Sequence, residues 1–344
     1  MTFHAEAYVP DACPCPHLPA TASDHVDACT IRLTPRHGRG VREARVRYAL
    51  YGADGAPVVV VQGGISANRN AATRDADTGW WEPIVGDDRA IDTRGFRVLS
   101  IEWLDRTSFE ALSYDELRAI GSEDQADAIA ALLPELGVRH VHAFVGASYG
   151  AMVGLAFAAR HPTRLRKLVV IAGAHRAHPL AIAVRNLQRE IVRFAARHGD
   201  VRTGLDLARR LAMTTYRSER DFAERCGGAP EFRDGRYRFA EEGWLEAAGA
   251  RFVERFDAER FLALSESIDL HAVAPESVRV PSTLIGIASD RLVPLADLCE
   301  LQRRFGAPAA LHVIDSRYGH DAFLKETAQI GPLIAEALAT GSVQ

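Results

Sequence analysis

Six short apolar runs constrain this chain more than any other feature: Pro57-Val-Val-Val-Val-Gln62, Phe96-Arg-Val-Leu-Ser-Ile101, Val141-His-Ala-Phe-Val-Gly146, Leu168-Val-Val-Ile-Ala-Gly173, Ser282-Thr-Leu-Ile-Gly-Ile-Ala288 and Ala310-Leu-His-Val-Ile314. Each is too short for a helix and mostly apolar at both odd and even positions. A strand of that kind is buried on both faces, which is the condition of a parallel sheet covered by helices. A further segment, Ala44-Arg-Val-Arg-Tyr-Ala-Leu-Tyr51, alternates apolar and charged residues and reads as a strand with one wet face, ended by the turn Gly52-Ala-Asp-Gly55.

Between the runs lie helical patterns. At 123–136, Ala126, Ile129, Ala130, Leu133 and Leu136 recur at helical spacing behind the acidic start Glu123-Asp124, and Gly137 stops the helix. Strands alternating with helices specify an α/β fold, a mainly parallel, doubly wound sheet whose reactive groups gather at the carboxyl ends of the strands. The alternation fails from 175 to 275. That stretch is rich in Arg, Ala, Leu and Glu, has Val184, Leu187, Ile191 and Phe194 at helical spacing, and offers no strand of comparable strength. The expected organisation is a flexible arm over 1–28, a core formed by 29–174 and 276–344, and an inserted helical cap over 175–275.

Composition narrows the function classes. Of 344 residues 47% are hydrophobic and 25% charged, the balance of a folded globular chain, and the formal net charge of −4 leaves no basic footprint for nucleic acid. Five cysteines are an odd number with no disulfide framework, and the Cys13-Pro14-Cys15-Pro16 segment has no second Cys or His pair at metal-finger spacing, so no metal is expected. The first residues lack the charge and apolar run of a secretion signal, and no apolar stretch reaches membrane-spanning length. A cytoplasmic location without a membrane partner is the expectation.

The chemistry concentrates at Gly146-Ala-Ser-Tyr-Gly150, where one of the buried runs meets the helical stretch Ala151-Met-Val-Gly-Leu-Ala-Phe-Ala-Ala-Arg160. A tight strand-to-helix turn lifts a serine out of the sheet, and the two glycines remove side chains where backbones approach. Ser148 is the candidate nucleophile, and the backbone N–H of Tyr149, at the positive end of the helix, is a candidate oxyanion donor. A serine hydroxyl needs a base, and the base an orienting carboxylate, in the chain order Ser, Asp or Glu, His. Asp290, directly after the run 282–288, and His320, on a loop after the last strand, fill those places.

These residues carry a family resemblance. Gly79-Trp-Trp-Glu-Pro-Ile-Val-Gly86, Arg89-Ala-Ile-Asp-Thr93, Gly146-Ala-Ser-Tyr-Gly150, Met213-Thr-Thr-Tyr-Arg-Ser218, Arg255-Phe-Asp-Ala258 and Tyr318-Gly-His-Asp-Ala-Phe-Leu324 together resemble the homoserine O-acyltransferases of the α/β-hydrolase superfamily over roughly residues 40–335. The resemblance implies acyl transfer from acyl-CoA, as co-substrate and without a further cofactor, to the hydroxyl of L-homoserine, an early step towards methionine. It carries the nucleophile onto Ser148, the acid onto Asp290 and the base onto His320. It puts a second oxyanion N–H near Ile65, a substrate arginine at Arg189, and lining residues of the amino-acid pocket at Tyr216 and Asp321. A homodimer through the cap is likewise implied.

The chain departs from the pattern in places. Tyr149 and Ala151 stand where many acetyl-transferring members have Met and Gly, and Glu102-Trp-Leu-Asp-Arg-Thr-Ser108 replaces their Gly-rich loop. The resemblance therefore favours succinyl-CoA over acetyl-CoA. Serine as acceptor stays open, because one methylene is worth only about 1–3 kcal/mol in an apolar pocket. A serine ester hydrolase also stays open, since the three residues alone do not separate hydrolysis from transfer. A binding module on a degraded hydrolase fold would require the loss of one of the three, and none is missing.

Overall fold

The computed structural model describes residues 25–74, 77–110, 112–113 and 116–339. The segment Cys13-Pro14-Cys15-Pro16 lies outside them. The centre is an eight-stranded sheet built from β1 (His25–Leu33), β2 (Arg42–Tyr51), β3 (Val58–Gln62), β4 (Arg97–Ile101), β5 (Ala143–Ala147), β6 (Leu168–Ile171), β7 (Ser282–Ile287) and β8 (Ala309–Ile314). Their spatial order is β1-β2-β4-β3-β5-β6-β7-β8. The β1/β2 and β2/β4 pairs are antiparallel and every other pair is parallel.

The apolar runs become β3 to β8, and within β3 to β7 the sheet divides the side chains between two buried faces; β8 is the edge strand, with Ala310 and Val313 exposed, which corrects its expected burial on both faces. Val58 and Val60 join one core with Leu99, Phe144 and Val170, whereas Val59 and Val61 join the opposite core with Val98, Val145 and Ile171. Successive residues face opposite sides, so a run apolar at every position feeds both layers at once. On the first face lie α1 (Ser122–Glu135) and α2 (Tyr149–Arg160); on the second lie the segment around Trp81 and the helix Thr327–Ala339. Gly137 follows α1 with φ of +68°, the left-handed conformation that ends a helix at little cost in glycine.

The expectation of an arm through residue 28 is corrected. Residues 25–28 belong to β1, which pairs along its whole length with β2, Ala28 opposite Arg47 and Ile31 opposite Ala44. Ile31 and Leu33 are buried while Thr30 and Arg32 are exposed. The alternation is real but brief, and the partner strand rather than local propensity makes it a strand.

Between β6 and β7 run α3 (Pro179–Arg197), α4 (Val201–Tyr216), α5 (Glu219–Arg225), α6 (Ala240–Val253) and α7 (Ala258–Leu270). Val192, Leu205, Ala208 and Phe261 give this insertion a small core of its own. It also contains a short, exposed antiparallel hairpin, Glu231–Arg233 with Arg236–Arg238. Its turn is Asp234-Gly235, both at positive φ, the two-residue turn whose twist suits a hairpin. Among the described residues no helix is long and apolar enough to cross a membrane.

Candidate active site

The sheet delivers Ser148 in a strained conformation. β5 ends at Ala147, α2 begins at Tyr149, and Ser148 between them sits at φ 56° and ψ −118°. Such a backbone costs about 1–3 kcal/mol and persists only where its surroundings over-determine it. Here they do. A Cβ on Gly146 would lie 2.2 Å from the carbonyl oxygen of Gly150, and one on Gly150 would lie 2.1 Å from that of Gln62. Both glycines are therefore required by close backbone approach, and the N–H groups of Ser148 and Gly150 are tied to Ile171 and Gly63 at 2.8 Å.

Three side chains from distant parts of the chain meet at this turn. Ser148 Oγ lies 2.7 Å from His320 Nε2, and His320 Nδ1 lies 2.6 Å from Asp290 Oδ2. The other oxygen of Asp290 accepts from the N–H groups of Leu292 and Val293, at 2.8 and 3.0 Å, which locks the carboxylate behind the ring. His320 and Asp290 are both buried. Burial opposes the imidazolium, but the charge of Asp290 and its hydrogen bond outweigh that penalty, with Asp321 adding to them, so the His320 pKa is raised above 6.5. The arrangement lets the ring accept a proton from the hydroxyl while the carboxylate holds its tautomer.

The backbone donors lie close by. As the first residue of α2, Tyr149 has an N–H with no carbonyl a turn behind it. On the other side, a Cβ on Gly64 would be 4.0 Å from Ser148 Oγ, so the Gly64-Ile65 peptide borders the serine. The Gly64 carbonyl accepts from Trp103 Nε1 at 2.9 Å and from the Ala67 N–H at 3.0 Å. Burial pushes the Tyr149 phenol well above its usual range; it stays neutral, 2.6 Å from Ser267 Oγ, with the Trp103 ring edge-on at 4.8 Å. Trp103 belongs to the Glu102–Ser108 loop, which the family resemblance puts near the acyl pocket without singling out the indole.

The pocket over Ser148 and His320 is lined further by Tyr216, Arg185, Gln188 and Met152. The Tyr216 ring stands 5.8 Å from that of His320. Arg189 is not among the lining residues, and this corrects its expected position. Its guanidinium is buried against α7, where Nη1 donates to Ser265 Oγ at 3.0 Å and to Asp269 Oδ2 at 2.6 Å. One helical turn earlier, Arg185 does line the pocket. The family resemblance pointed to Arg189, but residues four apart share a helix face and the packing of α7 decides which is covered.

Asp321, expected to line the pocket beside Tyr216, is likewise not among the lining residues and meets a different arginine. Its Oδ2 lies 3.0 Å from Nε of Arg217, whose Nη1 makes no hydrogen bond and stands 3.6 Å from Asp221 Oδ2. The contact is built by Gly319: at φ 58° it packs so tightly that a Cβ would lie 2.7 Å from the Tyr216 carbonyl oxygen. Ser218 Oγ donates to the Arg317 carbonyl beside it. The end of α4 is thus pressed onto the loop of His320. Arg217 lies within the Met213–Ser218 segment, where no local pattern distinguishes it from the other arginines of the insertion.

Comparison with known proteins agrees with this architecture. A family model described as the alpha/beta hydrolase fold matches residues 57–327. A homoserine O-succinyltransferase of Xanthomonas campestris pv. campestris is 47% identical, over 94% of this chain and 88% of that protein. A serine O-succinyltransferase of Xylella fastidiosa is 31% identical, over 88% of this chain and 94% of its own. The crystal structure of a homoserine O-acetyltransferase from Bacillus anthracis superposes with a TM-score of 0.81 over 92% of this chain and 98% of that one; at 19% identity it speaks for the fold alone. With nearly half its residues shared across almost its full length, and a hydrolase sheet carrying its serine turn, the chain belongs to the homoserine O-acyltransferase family of the α/β-hydrolase fold.

Proposed function

We propose that this protein transfers a succinyl group from succinyl-CoA to the hydroxyl of L-homoserine through an acyl-serine intermediate, a step of methionine biosynthesis. The observation that carries the reading is the 47% identity to a homoserine O-succinyltransferase in a chain whose Ser148, His320 and Asp290 are in hydrogen-bond contact. His320 takes the Ser148 proton as Oγ attacks the thioester carbonyl, and the oxyanion is received by the N–H groups of Tyr149 and Ile65. His320 returns the proton to the departing CoA thiolate. It then takes the proton of the homoserine hydroxyl, which attacks the acyl-serine, and hands that proton to Ser148 Oγ as it leaves. These groups suffice for the chemistry, so acyl-CoA enters as co-substrate and no cofactor is invoked.

The acceptor is a zwitterion, and the Arg217–Asp321 ion pair beside the base receives it by opening, guanidinium to carboxylate and carboxylate to ammonium. Tyr216 lines the pocket beside Ser148 and His320. The helical insertion acts as a cap that excludes water, without which the acyl-enzyme would hydrolyse. The exposed Leu180, Leu187 and Phe194 on α3 form a contact face for a homodimer. CoA thioesters as donors place the enzyme in the cytoplasm.

A second reading, serine as the acceptor, is favoured by the 31% identity to a serine O-succinyltransferase. Crossing succinyl-CoA and acetyl-CoA with L-homoserine and L-serine tests both. Steady-state CoA release that requires homoserine, beyond a single burst without it, supports the proposal, whereas sustained release at the same rate without any amino acid would leave an esterase. Mass spectrometry after brief mixing with succinyl-CoA alone should find the acyl group on the peptide containing Ser148, and none in Ser148→Ala.

A further inference from the structure

The pocket over Ser148 holds a positive charge that the chemistry above does not use. Arg185 Nε donates to Asp269 Oδ1 at 2.6 Å, and Arg189 Nη1 donates to the other oxygen of the same carboxylate at 2.6 Å. Two guanidinium groups share one carboxylate, and among the described residues neither arginine forms an ion pair with a second acid. The cluster keeps one positive charge in excess, in a wall where the Arg185 and Arg189 side chains are only 12% and 8% exposed. Arg185 Nη2 is buried and has no hydrogen-bond partner. A guanidinium N–H pair left dry and unpaired is costly unless a partner arrives.

The surroundings say what the partner is. Arg185 lines the pocket together with Ser148 and His320, and Val184, Ile268 and Met152 line it with them. The other charged residues of the lining, Arg176 and Asp297, are of opposite sign. An amino-acid zwitterion would need an acid next to the arginine for its ammonium group, yet Asp269 is taken by two arginines. A carboxylate at the end of an apolar stem fits, with methylenes against the aliphatic wall and oxygens at Nη2. We propose that Arg185 is the donor-specificity residue and binds the distal carboxylate of a dicarboxylic acyl group, succinyl above all, while its carbonyl carbon is attacked by Ser148. An acetyl group would leave Nη2 unpaired. Asp269 and Arg189 act as positioning residues that present the guanidinium edge. The assignment rests on acyl transfer from a CoA thioester to Ser148.

The test measures the acylation half-reaction alone, as the burst of CoA release without acceptor, in the full chain and in Arg185→Gln and Arg185→Leu. Donors are succinyl-CoA, acetyl-CoA and succinamoyl-CoA, the neutral isostere of the first. The expected result is that the kcat/KM ratio of succinyl-CoA over acetyl-CoA falls about 10- to 100-fold in both variants. Wild type should disfavour succinamoyl-CoA by a similar factor, and Arg185→Gln should narrow that gap. Equal slowing of all donors with a native circular dichroism spectrum would overturn the assignment in favour of a purely structural arginine. An unchanged donor ratio with a raised KM for homoserine would overturn it in favour of the acceptor's carboxylate. Absence of any acyl-Ser148 in wild type, with every thioester, would overturn acyl transfer itself; an adduct with an unchanged ratio overturns Arg185 alone.

Discussion

The indole Nε1 of Trp103 donates to the carbonyl oxygen of Gly64 at 2.9 Å. In a trans peptide the following N–H points opposite to that carbonyl, so the bond that holds Gly64 also sets the direction of the Ile65 N–H beside Ser148. Trp103→Phe keeps the ring against Tyr149 and removes the donor. The kcat for acylation should fall about 10-fold with little change in KM, against the roughly 100-fold or more expected when an oxyanion donor is lost outright. A raised KM with kcat unchanged would mean that the indole shapes the pocket and does not orient the peptide.

The pH dependence of acylation should report His320. The ring must be neutral to accept the Ser148 proton, and Asp290 raises its pKa above 6.5 despite the opposing effect of burial. The acidic limb of kcat/KM for acyl-CoA therefore has its midpoint above 6.5, with activity lost as pH falls through it. In Asp290→Asn burial acts without the compensating charge, and the midpoint should move down while the rate drops about 10⁴-fold from loss of the correct tautomer. A limb that stays in place would show that another group titrates.

Arg217 and Arg189 should separate in kinetics. Arg217→Lys cannot reproduce a forked hydrogen bond and should raise the KM for homoserine about 10- to 100-fold, with a far smaller effect on acylation. Arg189→Ala should act on stability, because Ser265 and one oxygen of Asp269 lose a buried hydrogen-bond partner while Arg185 still pairs the carboxylate, at a cost of about 1–3 kcal/mol. Separate measurement of the half-reactions and of thermal unfolding checks both, and an Arg189→Ala protein of native stability with a raised homoserine KM would reverse the assignment.

Close backbone approach makes a stability contrast between two glycines. Gly146→Ala puts a methyl 2.2 Å from the Gly150 carbonyl oxygen, whereas a Cβ on Gly243 in α6 meets nothing within 4 Å. The first should cost about 3 kcal/mol and move Ser148 off its position. The second should stabilise by about 0.5–1 kcal/mol by reducing the freedom of the unfolded chain. Denaturant melts of the two variants compare them directly.

What could be read in the chain without its fold were the features set by local physics. The doubly apolar runs at 57–62, 141–146 and 168–173 imply burial on both faces, and the glycines flanking Ser148 mark a turn that admits no side chain. Asp290 and His320 were legible through their places after strands, because strand ends converge on one edge of a parallel sheet. Contacts between segments far apart in sequence were not legible. β1 exists because β2 lies beside it, although its own alternation is brief and mixed with charge. Arg189 and Arg185 lie on one helix face with the same chemistry, and the packing of α7 covers one and leaves the other on the pocket. Arg217 meets Asp321 only because Gly319 lets α4 press onto the loop of the base. Periodicity and strand order are local properties of a sequence; which of several identical side chains faces a cavity is decided by the element packed against it, and that is a property of the tertiary structure alone.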